Sequence, residues 1–238
     1  MPKIPMRKVY MVRFIGRILI MAAVFLLFFF APECFSVLEP GQFFSSFNPL
    51  HLLWLVWIVH MAQQLLPARK YMALGSQKHQ RRFFQQGDKP EAAPFRAFIK
   101  RSNHSAAKIL VVWILFTLVI GALYFLGWLN QASLLLFCAV FYVCDLICVL
   151  FWCPFRVLFM KNRCCTTCRI FNWDHFMMFS PLVFIPGFYT YSLFGLSLVV
   201  LLVWELCFYF HPERFWERTN RSLRCSTCTD HLCGKKFE

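Results

Sequence analysis

The chain has 238 residues, 59% of them hydrophobic and 30 of them Phe, with a net charge of +14. A soluble domain of this length does not carry several apolar runs of about 20 residues, so composition excludes an ordinary globular protein and points to the bilayer. The basic excess does not indicate nucleic acid, because the Lys and Arg residues flank apolar runs instead of forming one patch.

The expected fold is an all-α polytopic membrane bundle of six transmembrane helices (or five plus a re-entrant segment), with both termini cytoplasmic. Residues 1–17 are basic with no acid, and the first span runs from Ile18 to Val37. No A-x-A-like site follows it, so it reads as a retained signal anchor and not a cleaved peptide. Residues 38–48 hold Glu39 and no Lys or Arg, which suits an outside loop. Pro49 opens the second span, which ends at about Leu66 before Pro67 and completes a hairpin over 18–66.

Residues 67–108 form a basic loop with Gly-Asp-Lys-Pro and Ala-Ala-Pro breaks, and Phe83, Phe84, Phe95 and Phe98 beside its cations suit anionic headgroups. A second hairpin over 109–152 comprises Ile109–Leu129, a turn at Asn130-Gln131, and Ser133–Trp152. A Cys-rich loop (153–170) follows. The apolar stretch 171–210 is too long for one span and is interrupted by Pro181, Pro186 and Gly187, so it reads as two spans or as a re-entrant segment and one span. A Cys-rich tail (211–238) ends the chain. With an even number of passes every Lys and Arg falls on one side, the cytoplasmic one, whereas an odd number strands those of the tail. The expected location is therefore the cytoplasmic membrane of a prokaryote, or its equivalent, with the lipid bilayer as the first partner.

Cysteine is the main chemical signal. There are 12, most of them at or near the basic side, where reducing conditions favour thiols or metal ligands over disulfides. Cys165-Thr-Thr-Cys168 and Cys225-Ser-Thr-Cys228 are two knuckles, and two residues between thiols let both sulfurs converge on one ion. Together they make a four-thiolate set for zinc or an iron–sulfur cluster, with Cys164, Cys233 and Cys153 in reserve. The competing reading is cysteine as a small buried hydrophobe, which suits Cys34, Cys138 and Cys207 better than thiols in a polar loop.

On the fourth span, Cys144, Asp145 and Cys148 share a face with Cys138. An acid inside a span is expensive without a partner. Asp145, Glu205 and His60 all lie roughly 9–12 Å below the inner surface at ~1.5 Å per residue, which points to an intramembrane polar pocket, with Gln63 and Gln64 nearby. Interhelical packing is the plainer alternative. Asp174 and His175 are either a second shell for a metal in the adjacent loop or an interfacial anchor beside Trp173.

The sequence contains no phosphate-binding Gly loop, no H-E-x-x-H and no nucleophile elbow. The leading expectation is a redox or electron-transfer subunit with an iron–sulfur centre that exchanges electrons with a quinone or a redox partner protein. A scaffold or assembly subunit with a structural zinc is the second. A transporter or metal-handling protein is the third.

Overall fold

The computed structural model describes residues 6–66, 74–228 and 232. Among them every regular element is helical: α1 (Met6–Phe30), α2 (Pro49–Leu65), α3 (Leu74–His79), α4 (Ala92–Phe125), α5 (Gln131–Leu150), α6 (Asp174–Phe179) and α7 (Phe188–Phe210), joined by short 3-10 turns. A lone antiparallel bridge pairs Gln86 with Asn220.

Four of these helices, α1, α4, α5 and α7, are long and apolar enough to cross a membrane. Their outward faces present Leu19, Phe29, Leu115, Val119, Leu202 and Leu206 to the surroundings. Exposed apolar area on this scale marks a surface that lipid or a partner covers. At 17 residues, α2 is only ~26 Å long against a hydrocarbon core of ~30 Å, the lower limit for a span.

The boundaries differ from expectation where proline acts. α1 ends at Phe30, earlier than the expected Val37, because the residue before Pro32 is driven out of helical geometry. Residues Pro32–Leu38 then fold into a 3-10 turn under the bundle, with Leu38 fully buried. α4 begins at Ala92, not Ile109. The Ala-Ala-Pro stretch opens this helix instead of breaking the loop, since proline within the first turn forfeits only an N–H with no helical acceptor. Asn48 caps α2, its side chain accepting from the Leu50 N–H at 2.8 Å while the His51 ring closes the box.

The core is built from Trp57, Tyr142, Phe179, Leu182, Ile185 and Tyr189, all nearly or fully buried. Much of it comes from an irregular stretch. Between α5 and α7 the chain forms a 3-10 turn at Arg169–Trp173, the short α6, a second 3-10 turn at Ser180–Phe184, and extended backbone through Gly187. The Asp174 carboxylate accepts from Gln64 near the C-terminal end of α2, and the Tyr189 hydroxyl donates to the Leu50 carbonyl at its start. This broken stretch thus runs the length of α2.

Non-helical backbone at this depth needs partners inside the protein. Ser180 Oγ donates to the Met177 carbonyl at 3.0 Å and accepts from the Trp113 ring N–H at 2.9 Å. Thr190 Oγ1 reaches the carbonyls of Ile185 and Gly187 at 2.7 and 3.0 Å. Two glycines allow close approach. A Cβ at Gly121 on α4 would sit 2.4 Å from the Phe184 ring, and one at Gly187 would sit 2.8 Å from the Leu38 carbonyl oxygen.

One end of the bundle carries a polar cap. Tail residues Arg218, Thr219 and Arg221 pair through their backbones with Asp88, Gly87 and Gln85. Asn220 donates to the Lys78 and Arg214 carbonyls at 2.9 and 2.7 Å. Ser76 on α3 donates to Asn172 at 2.5 Å. The tail is thus held to the 74–91 segment by hydrogen bonds.

Candidate thiol and polar cavities

Five cysteines line one cavity. Cys144 and Cys148 are four residues apart on α5, so they stand one above the other on one face. The helix stops at Leu150, and Cys153-Pro154 turns the chain into a π-helical turn at 155–160. Lys161 then takes a left-handed φ of 52° and reverses the chain toward the Cys165-Thr-Thr-Cys168 knuckle. That knuckle is closed by the Cys168 N–H donating to the Cys165 carbonyl at 3.0 Å and by Thr167 Oγ1 donating to the Cys164 carbonyl at 2.9 Å. Cys144, Cys148, Cys153, Cys165 and Cys168 all face a void of ≈120 Å³, with Asp145, Asp174, Met177 and Trp113 on the remaining wall. All five are thiols.

Cys153 is the electrostatic centre of this group. Its sulfur lies against those of Cys148 and Cys165 and accepts from the Arg156 N–H at 3.4 Å, contacts that together hold it below the usual thiol range. Cys165 is raised correspondingly, chiefly by its contact with Cys153 and then by burial. Its single S–H points to the Cys148 carbonyl at 3.0 Å, so the Cys153 sulfur is its second neighbour. Burial pushes Cys168 up to about 12.

The expected grouping of the two knuckles is not formed. Cys165 and Cys168 open onto the α5 cavity, whereas Cys225 lines a different cavity of ≈260 Å³ together with Cys164. Cys228 lines neither of the two. Cys233 lies outside the described residues. Among the described residues no three His, Cys, Asp or Glu side chains already converge in the manner of an assembled metal site. The thiols surround a void instead of meeting at a point.

Beside the thiol cavity lies a larger polar one of ≈390 Å³, and Asp145, Val149, Phe171 and Asp174 belong to the walls of both. Arg17 of α1 forms an ion pair with Asp145 at 2.5 Å, donates to the Tyr142 carbonyl at 2.7 Å, and lies 4.1 Å from the centre of the Tyr142 ring. The Tyr142 hydroxyl is 2.9 Å from His60 Nδ1. Gln64 Nε2 donates to both oxygens of Asp174, at 2.9 and 3.1 Å. His175 Nδ1 is 3.2 Å from Asp174 but lacks hydrogen-bond geometry to it.

Two of the three residues matched by depth are therefore neighbours: His60 and Asp145 line this cavity. Glu205 does not join them. It pairs with Arg169 and accepts from the Trp173 ring N–H at 2.8 Å, on the far side of the Arg169–Trp173 turn. Depth along a helix does not fix which way a side chain points around it. Trp173 and His175 are buried at 4% exposure each, so neither is an interfacial anchor, and the Asp174 side chain caps no helix.

Arg17, Tyr142 and Arg169 are the partners that sequence reasoning missed. Arg17 was hidden among cations expected to face the cytoplasm, although an acid within a span demands a cation and Arg17 is the deepest one available on α1. No protein-family model, no curated protein and no solved structure matches this chain.

Proposed function

We propose that this protein is an integral membrane redox subunit whose centre is an iron–sulfur cluster held by Cys148, Cys153, Cys165 and Cys168, with Cys144 at the margin. One observation carries the reading: five thiols from three successive chain segments line one cavity at the polar end of the bundle. A void of ≈120 Å³ is many times the ~10–15 Å³ that a single water-sized probe occupies. A lone zinc held by sulfur at ~2.3 Å needs no such room, whereas a polynuclear cluster does. The adjoining polar cavity supplies groups that can exchange protons beside a redox centre.

The topology that accompanies this reading is six passes with both termini cytoplasmic. It is supported by the gathering of the starts of α1 and α4 and the ends of α2, α5 and α7 at the end that carries the basic segments. The fifth pass would be the broken stretch beside α2.

A structural zinc that staples loop to tail is the second reading, favoured by the shared cavity of Cys164 and Cys225. Metal analysis and an absorption spectrum of anaerobically purified protein separate the two. Iron with acid-labile sulfide and a broad visible band supports the redox centre. One zinc without colour sinks it in favour of the staple, and protein free of metal sinks both.

A further inference from the structure

We propose that the polar cavity between α1, α2 and α5 is a binding site for the head group of a hydroquinone. This deepens the redox reading above, on which its biological sense rests, although binding can be measured separately. The cavity, at ≈390 Å³, is within the size range of small-molecule sites. Ile20, Val56, Leu146 and Val149 give it an apolar wall, as an aromatic ring and its tail require.

The specificity comes from one orphaned atom. Gln64 Oε1 belongs to this wall and has no hydrogen-bond partner, on a residue only 4% exposed, whereas His175 Nδ1 already lies 3.2 Å from the Asp174 carboxylate. An unpaired buried polar atom carries a desolvation penalty that a fitting ligand removes. Gln64 cannot resolve the matter by flipping its amide, because its NH₂ already donates to both Asp174 oxygens, and a flip would set oxygen against carboxylate.

The ligand must therefore donate to Gln64 Oε1. A carboxylate or phosphate offers acceptors only and leaves Gln64 unpaired. An ammonium offers donors only and would enter beside Arg17. A ring hydroxyl donates once and accepts as well, and its apolar body matches the rest of the wall. Bound there, the head group would touch Asp145 and Asp174, which also wall the thiol cavity.

The test uses the full chain in detergent micelles, titrated with a short-tailed alkyl benzoquinone and with its reduced form while tryptophan fluorescence is followed. Saturable quenching is expected, with the reduced form weakened about tenfold by Gln64→Leu, the loss of one well-placed hydrogen bond. Gly16→Phe gives a second variant should Gln64→Leu fail to fold. Gly16 lines the cavity, and a Cβ there meets nothing within 4 Å, so the added ring fills the site and should abolish binding. No saturable quenching in wild type, or equal binding by wild type and both variants, overturns the inference. Saturable binding by metal-free protein supports this site while removing the redox reading. Iron without quinone binding does the reverse.

Discussion

Arg17 and Asp145 stand 128 residues apart in the chain and meet at 2.5 Å, joining the first helix to the C-terminal half of α5, the most extensively packed pair of helices among the described residues. The pair keeps only 15% and 24% of its side-chain surface exposed. Removing one partner leaves a charge with little solvent. Asp145→Leu should lower stability by about 2–3 kcal/mol, toward the low end for breaking a buried pair because some exposure remains. Arg17→Met combined with Asp145→Leu should recover most of that loss, since replacing both charges by apolar groups is close to neutral. Thermal midpoints of the single and double variants in one detergent check this, and an additive double variant would refute the coupling.

Serine at Cys153, Cys165 or Cys168 should each strip most of the bound metal from purified protein, whereas serine at Cys34 or Cys207, which lie away from the thiol cavity, should leave the content unchanged. Metal-to-protein ratios decide it. Equal ratios across all five variants would move the centre elsewhere.

His79 gives a pH dependence of opposite origin to a salt bridge. Its ring is fully buried, stacks on Phe215 at 4.2 Å, and has no partner for either nitrogen. Burial first, and then the nearby Lys78, lower it from 6.5 to about 3. Above about pH 6.5 neither the folded nor the unfolded chain holds this proton. Below it the unfolded chain takes up a proton that the folded one refuses until about pH 3. Stability should thus fall by about 1.4 kcal/mol per pH unit across that window. His79→Phe should flatten the slope in denaturant titrations run between pH 7 and 4. An unchanged slope would assign the pH response to other groups.

The broken stretch beside α2 depends on Gly121. A side chain there would enter the Phe184 ring, so Gly121→Val should cost about 1–3 kcal/mol through overpacking. Gly195, with nothing within 4 Å of a Cβ, is the matched control on α7, and Gly195→Ala should be neutral or slightly stabilising. Their thermal midpoints should differ in that order.

Lengths and charge placement revealed the helices from Pro49 to Leu65 and from Gln131 to Leu150 nearly to the residue, because hydropathy and proline act locally. The knuckle at Cys165 was legible for the same reason. Its companions were not. Two C-x-x-C pairs suggested a joint site, yet Cys165 turns toward Cys148 and Cys153 because the reversal at Lys161 folds the loop back onto α5. Asp145 was recognisable as needing a partner, but Arg17 could be identified only once α1 lay against α5. Pairing across the bundle is set by azimuth and packing, which a single helical period does not specify.

The broken stretch beside α2 has a consequence for biogenesis. Its carbonyls at Met177, Ile185 and Gly187 are satisfied by side-chain hydroxyls within the protein, and Ser180 is further held by α4. A segment with that backbone cannot rest alone in lipid, where each unmet peptide group is heavily penalised. We expect it to enter the membrane last, threading between neighbours already inserted, so that α7 attains its orientation only when the rest of the bundle is present. With Ser180→Cys introduced inside the stretch, truncation of the chain after residue 187 should leave that thiol accessible to aqueous reagents. Its protection at that length would show that the stretch inserts unaided.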